Sequence, residues 1–578
     1  MEKETKTSRY EQFPCIAVKT GETAAQGFAE ICDRLRPRCQ GRTIVAAECY
    51  PGVDQAELLA GLSPLNFALV IHADALALPP EEIDRRLETD LTEDPVFGCM
   101  TTRNLIDFFD AEKLRAASAQ AAAQETGPVL IYGVGATLVH PGDVTLLCDI
   151  TRWEVQLRYR RGMDNWRTAK RNLSNREKFK RGYFAEWRWA DRIKDDILPT
   201  LDYYLDMTAE GAAAMVSGEA YRSALEQAAR QPFRMAPYFD PGVWGGDWMK
   251  THFALPGNGS NYAWSFDGVP EENSLLLDFG GARVRTPAMN LVLFRPRQLL
   301  GERVHARFGK EFPIRFDLLD TVHGQNLSLQ VHPLTEYIQR HFNMRYTQDE
   351  SYYILDAEGE DPCVYLGIKT GTKPEEMAQA LRTAQRGEEL FPAEEYVNRI
   401  PVKKHDHLLI PGGTVHCSGA NTMVLEISAT PYIFTFKLWD WGRVDLDGKP
   451  RPIHLDHGLA NIQWERDTQW VQENLVNRVT TVYESDGCHI ERTGLHEREF
   501  IDTFRICTAD RVPIRRNGSV HVINLVEGSQ VRLESPTNAF PPFTVHYAET
   551  CIIPQAAGDY TIAADGEEGK VILACVRD

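Results

Sequence analysis

Three short stretches of the chain carry side chains that could bind a metal ion together. Gln330 and His332 lie two residues apart in a run that alternates polar with apolar residues, so on a strand both point to one face. Glu350 opens the next extended run, and His416 follows a Pro-Gly-Gly turn. An oxygen, two imidazoles and a carboxylate on adjacent strands predict a borderline-metal site with room for water or substrate. The alternative is four unrelated polar residues.

The composition is that of a globular protein with an acidic balance. The chain has 578 residues, of which 43% are hydrophobic and 25% charged, and this length predicts roughly three or four domains. The 82 acidic residues exceed the 63 basic ones, which gives a net charge of −19. This balance argues against nucleic acid or an anionic membrane as the main partner, although a local basic cluster could still hold a small anionic substrate.

Targeting and redox features predict a cytoplasmic protein. Residues 1–10 are polar and charged without the apolar segment of a signal peptide, and no later run is long enough to span a bilayer. The twelve cysteines are scattered without CxxC pairs. We therefore expect reduced, small apolar side chains rather than a disulfide framework.

Residues 1–215 alternate apolar strands with helical stretches, the pattern of an α/β domain. Strands are predicted at residues 43–47, 67–74, 128–136 and 144–149, and a connecting helix at 209–230. This layout, with an Arg-rich helix that carries Arg158, Arg160, Arg161 and Arg167, resembles a nucleoside or uridine kinase of the P-loop class.

The phosphate-binding motif of that class is broken here. A working P-loop reads GxxxxGK[ST], because glycines let backbone N–H groups cradle phosphates while the lysine and hydroxyl serve the terminal phosphates and magnesium. Aligned on the Pro-Gly pair after the first strand, the chain has Cys49 and Asp54 at the glycines, Gln55 at the lysine and Ala56 at the hydroxyl. We expect a kinase-like scaffold without ATP chemistry that serves dimerisation, regulation or support. The arginines are either functional or a solvated helix face.

From about residue 232 the composition changes to short strands separated by Gly and Pro turns, which predicts an all-β barrel. Four motifs follow one another along this region: Leu-Ser-Leu-Gln-Val-His-Pro at 327–333, the strand opened by Glu350, Ile-Pro-Gly-Gly-Thr-Val-His at 410–416, and Val-Leu-Glu-Ile at 424–427. On these motifs the region resembles a type I mannose-6-phosphate isomerase, a zinc enzyme of the cupin class. The resemblance implies a double cupin, with a catalytic domain at 232–483 and a smaller cupin-like domain at 484–578.

The resemblance also implies a helical insertion at residues 372–400 beside the active site. Thr372 and Glu375 have the spacing of a capping box ahead of a helix-prone run. The C-terminal domain repeats the turn at residues 552–554 without a following histidine, so we expect no metal there.

What the resemblance implies for chemistry is an aldose–ketose isomerase that interconverts mannose 6-phosphate and fructose 6-phosphate through an enediol. The implied zinc ligands are Gln330, His332, Glu350 and His416, and a net positive centre of this kind suits a developing enediolate. Lys437, Arg443 and Glu426 are the catalytic candidates. A buried acid bonded to backbone is the other interpretation of Glu426, and the sequence does not identify the general base.

The implied substrate shell departs from the family. Ser328 matches the family's serine, but Gln348 stands where a lysine is frequent, and Lys437 stands at an arginine position with Arg443 retained downstream. Lysine keeps the charge and loses the bidentate fork. Two alternatives therefore remain beside the first hypothesis: a non-catalytic sugar-phosphate-binding regulator, and an isomerase of a different sugar. An active kinase fused to an isomerase is a third. The sequence leaves the oligomeric state open.

Overall fold

The computed structural model of the chain describes residues 9–256, 261–444, 448, 451–485, 487–494, 496–564 and 566–578. Residues 1–8 lie outside these ranges. They make up most of residues 1–10, the segment in which we expect no signal peptide. Two compact units are formed: the N-terminal unit contains Cys15–Ala229 and Glu271–Arg295, and the C-terminal unit contains Met1–Pro14, Arg230–Pro270 and Pro296–Asp578. Within the described ranges, no helix is both long and apolar enough to cross a membrane.

A seven-stranded sheet forms the centre of the N-terminal unit. Five consecutive strands, up to one edge of the sheet, are parallel, as helical crossovers between apolar strands require, and two antiparallel strands complete the other edge. The four predicted strands are present with ends shifted by a few residues. In sheet order the strands are Ala25–Gln26, Ala214–Ser217, Tyr203–Asp206, Val144–Asp149, Ile44–Cys49, Val129–Gly133 and Leu69–His72.

Helices connect these strands. The longer ones are Gly27–Leu35, Gln55–Leu62, Pro80–Leu91, Ala111–Ala123, Arg152–Arg160, Asn175–Arg181, Trp187–Ile197 and Gly218–Ala228. The prediction of one helix over residues 209–230 is wrong in its first half. Ala214–Ser217 is a strand because its apolar residues pair with Tyr203–Asp206, and Ser217 then caps the helix by accepting from the N–H of Ala220.

The Arg-rich helix ends at Arg160, so Arg161 and Arg167 lie beyond it. Arg158 is not a solvated side chain: it is buried and donates to the carbonyls of Gly52, Met207 and Thr208. It therefore fixes the loop after the first strand.

The N-terminal unit also takes in a hairpin from later in the chain. Strands Ser274–Phe279 and Ala282–Pro287 pair with each other, and Cys15–Ala17 adds in parallel to the first of them. The helix Met289–Phe294 follows, and the buried Asn290 donates to Asp149 at 2.8 Å. Residues 271–295 are thus integral to this unit.

The C-terminal unit begins with two antiparallel sheets that carry the predicted site. The six-stranded sheet has the order Tyr238–Asp240, Trp264–Gly268, Ile314–Asp320, Thr422–Ala429, Glu350–Ala357 and His407–Ile410. The five-stranded sheet has the order Val397–Pro401, Cys363–Ile368, His416–Ser418, Leu329–Val331 and Phe436–Trp439. The sheets are largely buried on both faces, so their polar residues need partners.

Two further antiparallel sheets follow toward the C-terminus. The six-stranded one has the order Thr480–Ser485, Cys488–Gly494, Ile501–Thr508, Gly569–Val576, His521–Glu527 and Thr550–Ile553; the four-stranded one has the order Arg511–Ile514, Tyr560–Ala563, Gln530–Glu534 and Phe543–His546. Their inward side chains form one apolar core that includes Leu525, Leu533 and Ile562. The protein is therefore multidomain, with β-rich architecture after residue 296.

Helices of the C-terminal unit are short and lie between strands. They are Trp248–His252, Pro296–Leu300, Glu302–Phe308, Thr335–Phe342, Pro374–Gln385, Ala393–Tyr396, Leu455–Leu459 and Thr468–Asn474. The predicted insertion helix exists, but its capping box does not. The helix begins at Pro374 after Lys373, no side chain caps it, and the Thr372 hydroxyl donates instead to the Tyr396 carbonyl at 3.4 Å.

A buried ion pair ties the start of the C-terminal unit to its last sheets. Arg234 Nη1 lies 2.6 Å from Glu549 Oε1, and both side chains are buried. We expect Arg234→Ala to lower the free energy of unfolding by about 3 kcal/mol, because it removes the buried guanidinium from a buried carboxylate that, among the described residues, keeps only His546 and backbone N–H groups. Arg297→Ala removes an exposed pair with Glu302 and should cost below about 1 kcal/mol. Urea midpoints measure both, and equal shifts would contradict this assignment.

Candidate metal centre and surrounding residues

The structure brings the four predicted ligands together from the first two sheets of the C-terminal unit, the six-stranded and the five-stranded one. Gln330 is the central residue of Leu329–Val331, and His332 follows directly. Gln330 lies opposite His416, the first residue of the neighbouring strand, so the two side chains share one face. Glu350 opens its strand in the other sheet. The sites are buried, with His416 0%, His332 1% and Glu350 2% exposed.

Distances within the cluster are those of side chains converging on one point. Glu350 Oε1 lies 2.8 Å from His416 Nε2, and Glu350 Oε2 lies 3.2 Å from His332 Nε2. Gln330 Nε2 is 3.2 Å from His416 Nε2. Rotating the amide by half a turn exchanges its nitrogen and oxygen, so Gln330 can present the oxygen to the same space. His332, Glu350 and His416 have ligand atoms that all lie within 4.8 Å of one another.

Backbone carbonyls orient both imidazoles. His416 Nδ1 is 2.9 Å from the Thr414 carbonyl, and His332 Nδ1 is 3.4 Å from the Phe434 carbonyl. With Nδ1 as the donor, each Nε2 carries a lone pair aimed at the Glu350 carboxylate. His332 Nε2 and Glu350 Oε1 also lack hydrogen-bond partners within the described residues. Facing lone pairs of this kind need a cation between them, so the donor set fits a metal ion.

Electrostatics at Glu350 agree with this geometry. Burial raises the pKa of its carboxyl group, but positive charge on the imidazoles of His332 and His416, when they are protonated, outweighs burial and holds the pKa well below its usual value. When the imidazoles are neutral, a metal ion would supply that positive charge instead. The carboxylate is therefore the ionised anchor of the cluster.

The Pro-Gly-Gly turn is fixed on both sides. Gly413 has φ +86°, which favours glycine, and its N–H donates to the His332 carbonyl at 2.8 Å. The Gly412 N–H donates to Asp349 at 2.7 Å, and the buried Arg466 donates to the carbonyls of this turn. The turn thus links His332 directly to the strand that carries His416.

Glu426 lies beside the cluster and joins a charged network. Its Oε1 accepts from Arg315 at 2.7 Å, Ser428 at 2.8 Å and Gln348 at 3.2 Å. Gln348 Nε2 also lies 3.3 Å from Glu350 Oε2, so its amide bridges the two carboxylates. Burial, followed by Glu350, raises the pKa of Glu426 to about 7, against the opposing effect of Arg315. This carboxyl group can exchange a proton near neutral pH.

Arg315 and Asp317 are the residues that sequence reasoning missed. Asp317 lies opposite Glu426 and 3.3 Å from Arg315 Nη2, and burial raises its pKa well above the usual value. The signal was present in Ile-Arg-Phe-Asp-Leu-Leu-Asp, because charges two apart in an apolar strand share one face.

The other predicted site residues differ in whether they reach the cluster. Lys437 lies opposite Gln330 on the neighbouring strand and is half-buried, so it shares the face of the cluster. Arg443 donates to Asp440 at 2.7 Å and to the Asn326 carbonyl at 2.6 Å, and these contacts do not reach the cluster. Ser328 is buried directly before its strand.

In the N-terminal unit, the loop aligned with a phosphate-binding loop is closed by its own side chains. Asp54 caps the helix Gln55–Leu62 by accepting from the N–H groups of Ala56 and Glu57. Gln55 donates to Asp74 at 3.0 Å and lies 2.7 Å from His72. A carboxylate thus occupies the helix N-terminus. The cleft beside this loop has a volume of about 500 Å³.

Comparisons with known sequences divide along the chain. Residues 27–230 match a family described as a domain of unknown function, DUF8485. Mannose-6-phosphate isomerase ManA of Bacillus subtilis is 28% identical over 234 residues, which are 40% of this chain and 68% of that protein. Mannose-6-phosphate isomerase of Streptococcus mutans is 25% identical over 219 residues, 38% of this chain and 63% of that protein. These relatives support the prediction of an isomerase enzyme.

Solved structures with similar folds carry related names. The mannose 6-phosphate isomerase of Bacillus subtilis covers 60% of this chain and 99% of its own, with 18% identity and a TM-score of 0.48. A variant of the phosphomannose isomerase of Salmonella typhimurium covers 60% of this chain and all of its own, with 12% identity and a TM-score of 0.46.

The raised pKa of Glu426 predicts a pH dependence of stability in the metal-free protein. The folded state binds this proton more tightly than the unfolded chain, so stability falls as pH rises from about 4.5 to about 7. Glu426→Gln should remove on the order of 1–3 kcal/mol of that fall. Urea unfolding at several pH values measures it, with the exposed Glu360→Gln as the control. Parallel curves for wild type and Glu426→Gln would contradict the assignment.

Proposed function

We propose that the C-terminal unit is an aldose–ketose isomerase that interconverts mannose 6-phosphate and fructose 6-phosphate. The observation that carries the proposal is the buried cluster of His332, Glu350 and His416, with Gln330 across the strand from His416. The relatives named as mannose-6-phosphate isomerases, whose alignments cover about 40% of this chain, support the same reaction class.

Zinc is the proposed cofactor, held by Gln330, His332, Glu350 and His416. Two imidazole Nε2 atoms and one carboxylate form the donor set of many zinc sites. The chemistry that zinc supplies when bound is Lewis acidity toward the carbonyl and hydroxyl oxygens of the sugar. The carbonyls of Thr414 and Phe434 hold the imidazoles in the tautomer that such binding requires.

The reaction moves a proton between C1 and C2 of the sugar through an enediol. Glu426 is the proposed proton-handling group, because it lies beside the cluster and its buried carboxyl group has a pKa of about 7 in the metal-free site. Arg315 and Ser428 hold its carboxyl group in place. Lys437 shares the face of Gln330 and supplies positive charge toward the developing enediolate or the phosphate. Arg443 and Ser328 are further candidates for that shell.

A second candidate, a non-catalytic sugar-phosphate-binding regulator, is favoured by one observation. Two of the predicted substrate-shell groups are engaged by the protein itself: Gln348 by Glu350 and Glu426, and Arg443 by Asp440 and Asn326. An isomerase that prefers a different sugar would account for the same contacts.

For the N-terminal unit we propose a kinase-like scaffold without ATP chemistry. Asp54 occupies the backbone N–H groups that a phosphate would use, and Gln55 is held by Asp74 and His72 in place of a free lysine. Support, dimerisation and regulation remain the possible uses of this scaffold.

Loss of one imidazole tests the isomerase. We expect zinc-loaded wild type to convert mannose 6-phosphate to fructose 6-phosphate, and His416→Ala to lower kcat/KM at least about 100-fold, because metal activation contributes several kcal/mol. The measurement is a coupled assay with zinc content determined in parallel. The control is His489→Ala, which changes a histidine paired with Glu491 in another sheet. This variant should keep both the isomerase activity and the zinc content of wild type.

A panel of phosphorylated and free aldoses separates the alternatives. Turnover of another sugar would reassign the substrate. Thermal stabilisation by hexose phosphates in metal-loaded protein that turns over none of them would favour the regulator and overturn the isomerase.

Absence of ATP chemistry is tested with the same protein. We expect no phosphoryl transfer from ATP to nucleosides or sugars in the presence of magnesium. Asp54→Ala should destabilise the N-terminal unit by about 1 kcal/mol through loss of the helix cap, as read from urea midpoints. Asp110→Ala removes a similar cap in the same unit and serves as the control. ATP-dependent transfer by wild type would overturn the proposal.

A further inference from the structure

A second group of metal-type side chains lies in the C-terminal unit away from the cluster at Glu350. His252, Asp356 and Glu358 have one ligand atom each within 4.8 Å of one another. Asp356 lies on the same strand as Glu350 and six residues beyond it, which corresponds to about 20 Å along an extended chain. The two groups therefore cannot share one ion.

Trp248 orients two of the three side chains. Its backbone carbonyl lies 2.9 Å from His252 Nδ1, its indole N–H donates to Asp356 Oδ2 at 3.0 Å, and its ring stacks on the imidazole at 3.9 Å. With Nδ1 as donor, His252 Nε2 keeps its lone pair. Metal-binding histidines are held in this way by a partner on the other ring nitrogen.

Within the described residues, nothing neutralises the two acids. Neither Asp356 nor Glu358 forms an ion pair, and His252 Nε2 has no hydrogen bond although the side chain is 8% exposed. Lys404 lies near this region over the Tyr547 ring but pairs with Glu527 at 2.8 Å. Two adjacent, half-buried carboxylates repel each other unless a proton or a cation lies between them.

We propose that His252, Asp356 and Glu358 form a second metal site, for a divalent cation of the Zn²⁺ and Mn²⁺ class. One imidazole and two carboxylates suit a borderline ion, and the partial exposure of the two acids leaves coordination positions for water. The ion would join the helix Trp248–His252 to the end of the strand Glu350–Ala357. The role of this second ion is structural, because none of its three ligands belongs to the proposed isomerase site.

Metal counting with Zn²⁺ tests the site. Metal-free full-length protein is loaded with Zn²⁺, dialysed and measured by atomic emission. We expect two equivalents in wild type, one in His252→Ala, one in Glu358→Gln and one in His416→Ala. Glu360→Gln, which changes an exposed acid in the loop that follows the same strand, is the matched control and should keep two. Glu358→Gln preserves side-chain size, so its result does not depend on whether His252→Ala folds.

Co²⁺ titration supplies a second measurement that does not depend on turnover. The absorption of bound Co²⁺ should lose one component in Glu358→Gln and a different one in His416→Ala, with the remaining affinity unchanged within about threefold. The inference is overturned if wild type binds one equivalent that only His416→Ala removes, or if Glu358→Gln and His252→Ala bind as much as wild type. Failure of the isomerase assay would leave this count unaffected.

Discussion

The C-terminal unit is organised around one buried carboxylate that the Nε2 atoms of two imidazoles approach. Glu350 lies 2.8 Å from His416 Nε2 and 3.2 Å from His332 Nε2, while the Nδ1 atoms face the carbonyls of Thr414 and Phe434. Three groups of this kind in an apolar interior are stable only with a cation or proton among them. The sheets, the glycine turn and the orienting carbonyls can therefore be understood as the framework that holds an unfavourable arrangement until an ion relieves it.

Charge beside this centre is balanced by side chains rather than by solvent. Arg315 compensates both Glu426 and Asp317, and Gln348 places one neutral amide between Glu426 and Glu350. A lysine in place of Gln348 would draw the Glu426 carboxyl group toward its ionised form, because an adjacent cation lowers the pKa of an acid. The neutral amide instead leaves that pKa near 7, where the protonation state responds to small changes in the site. The presence of glutamine rather than lysine at position 348 therefore affects the protonation of Glu426 more than it affects the metal ligands.

Sequence reasoning succeeded where side-chain periodicity determines position. The two-residue spacing of Gln330 and His332 predicts that both point to one face, and the glycine turn predicts that His416 opens a nearby strand. It could not find the carbonyls that orient the imidazoles, since backbone groups leave no residue signature. Two partners of Arg315, Glu426 and Ser428, come from a strand more than a hundred residues away, which local pattern cannot show. The capping box at Thr372 is not formed because Pro374 starts the helix one residue later, and the Thr372 hydroxyl donates to the Tyr396 carbonyl rather than accepting from a helix N–H. The strand at Ala214–Ser217 was hidden by helix-favouring alanines.

The hairpin and helix at Glu271–Arg295 interrupt one unit in order to complete the other. Neither unit is therefore a continuous stretch of chain, and no single cut releases either one intact. During synthesis the N-terminal unit must wait for residue 295 before its last elements emerge, by which time the first strands of the C-terminal unit are already made. A truncation that removes one unit therefore also removes part of the other or leaves part of its own chain behind.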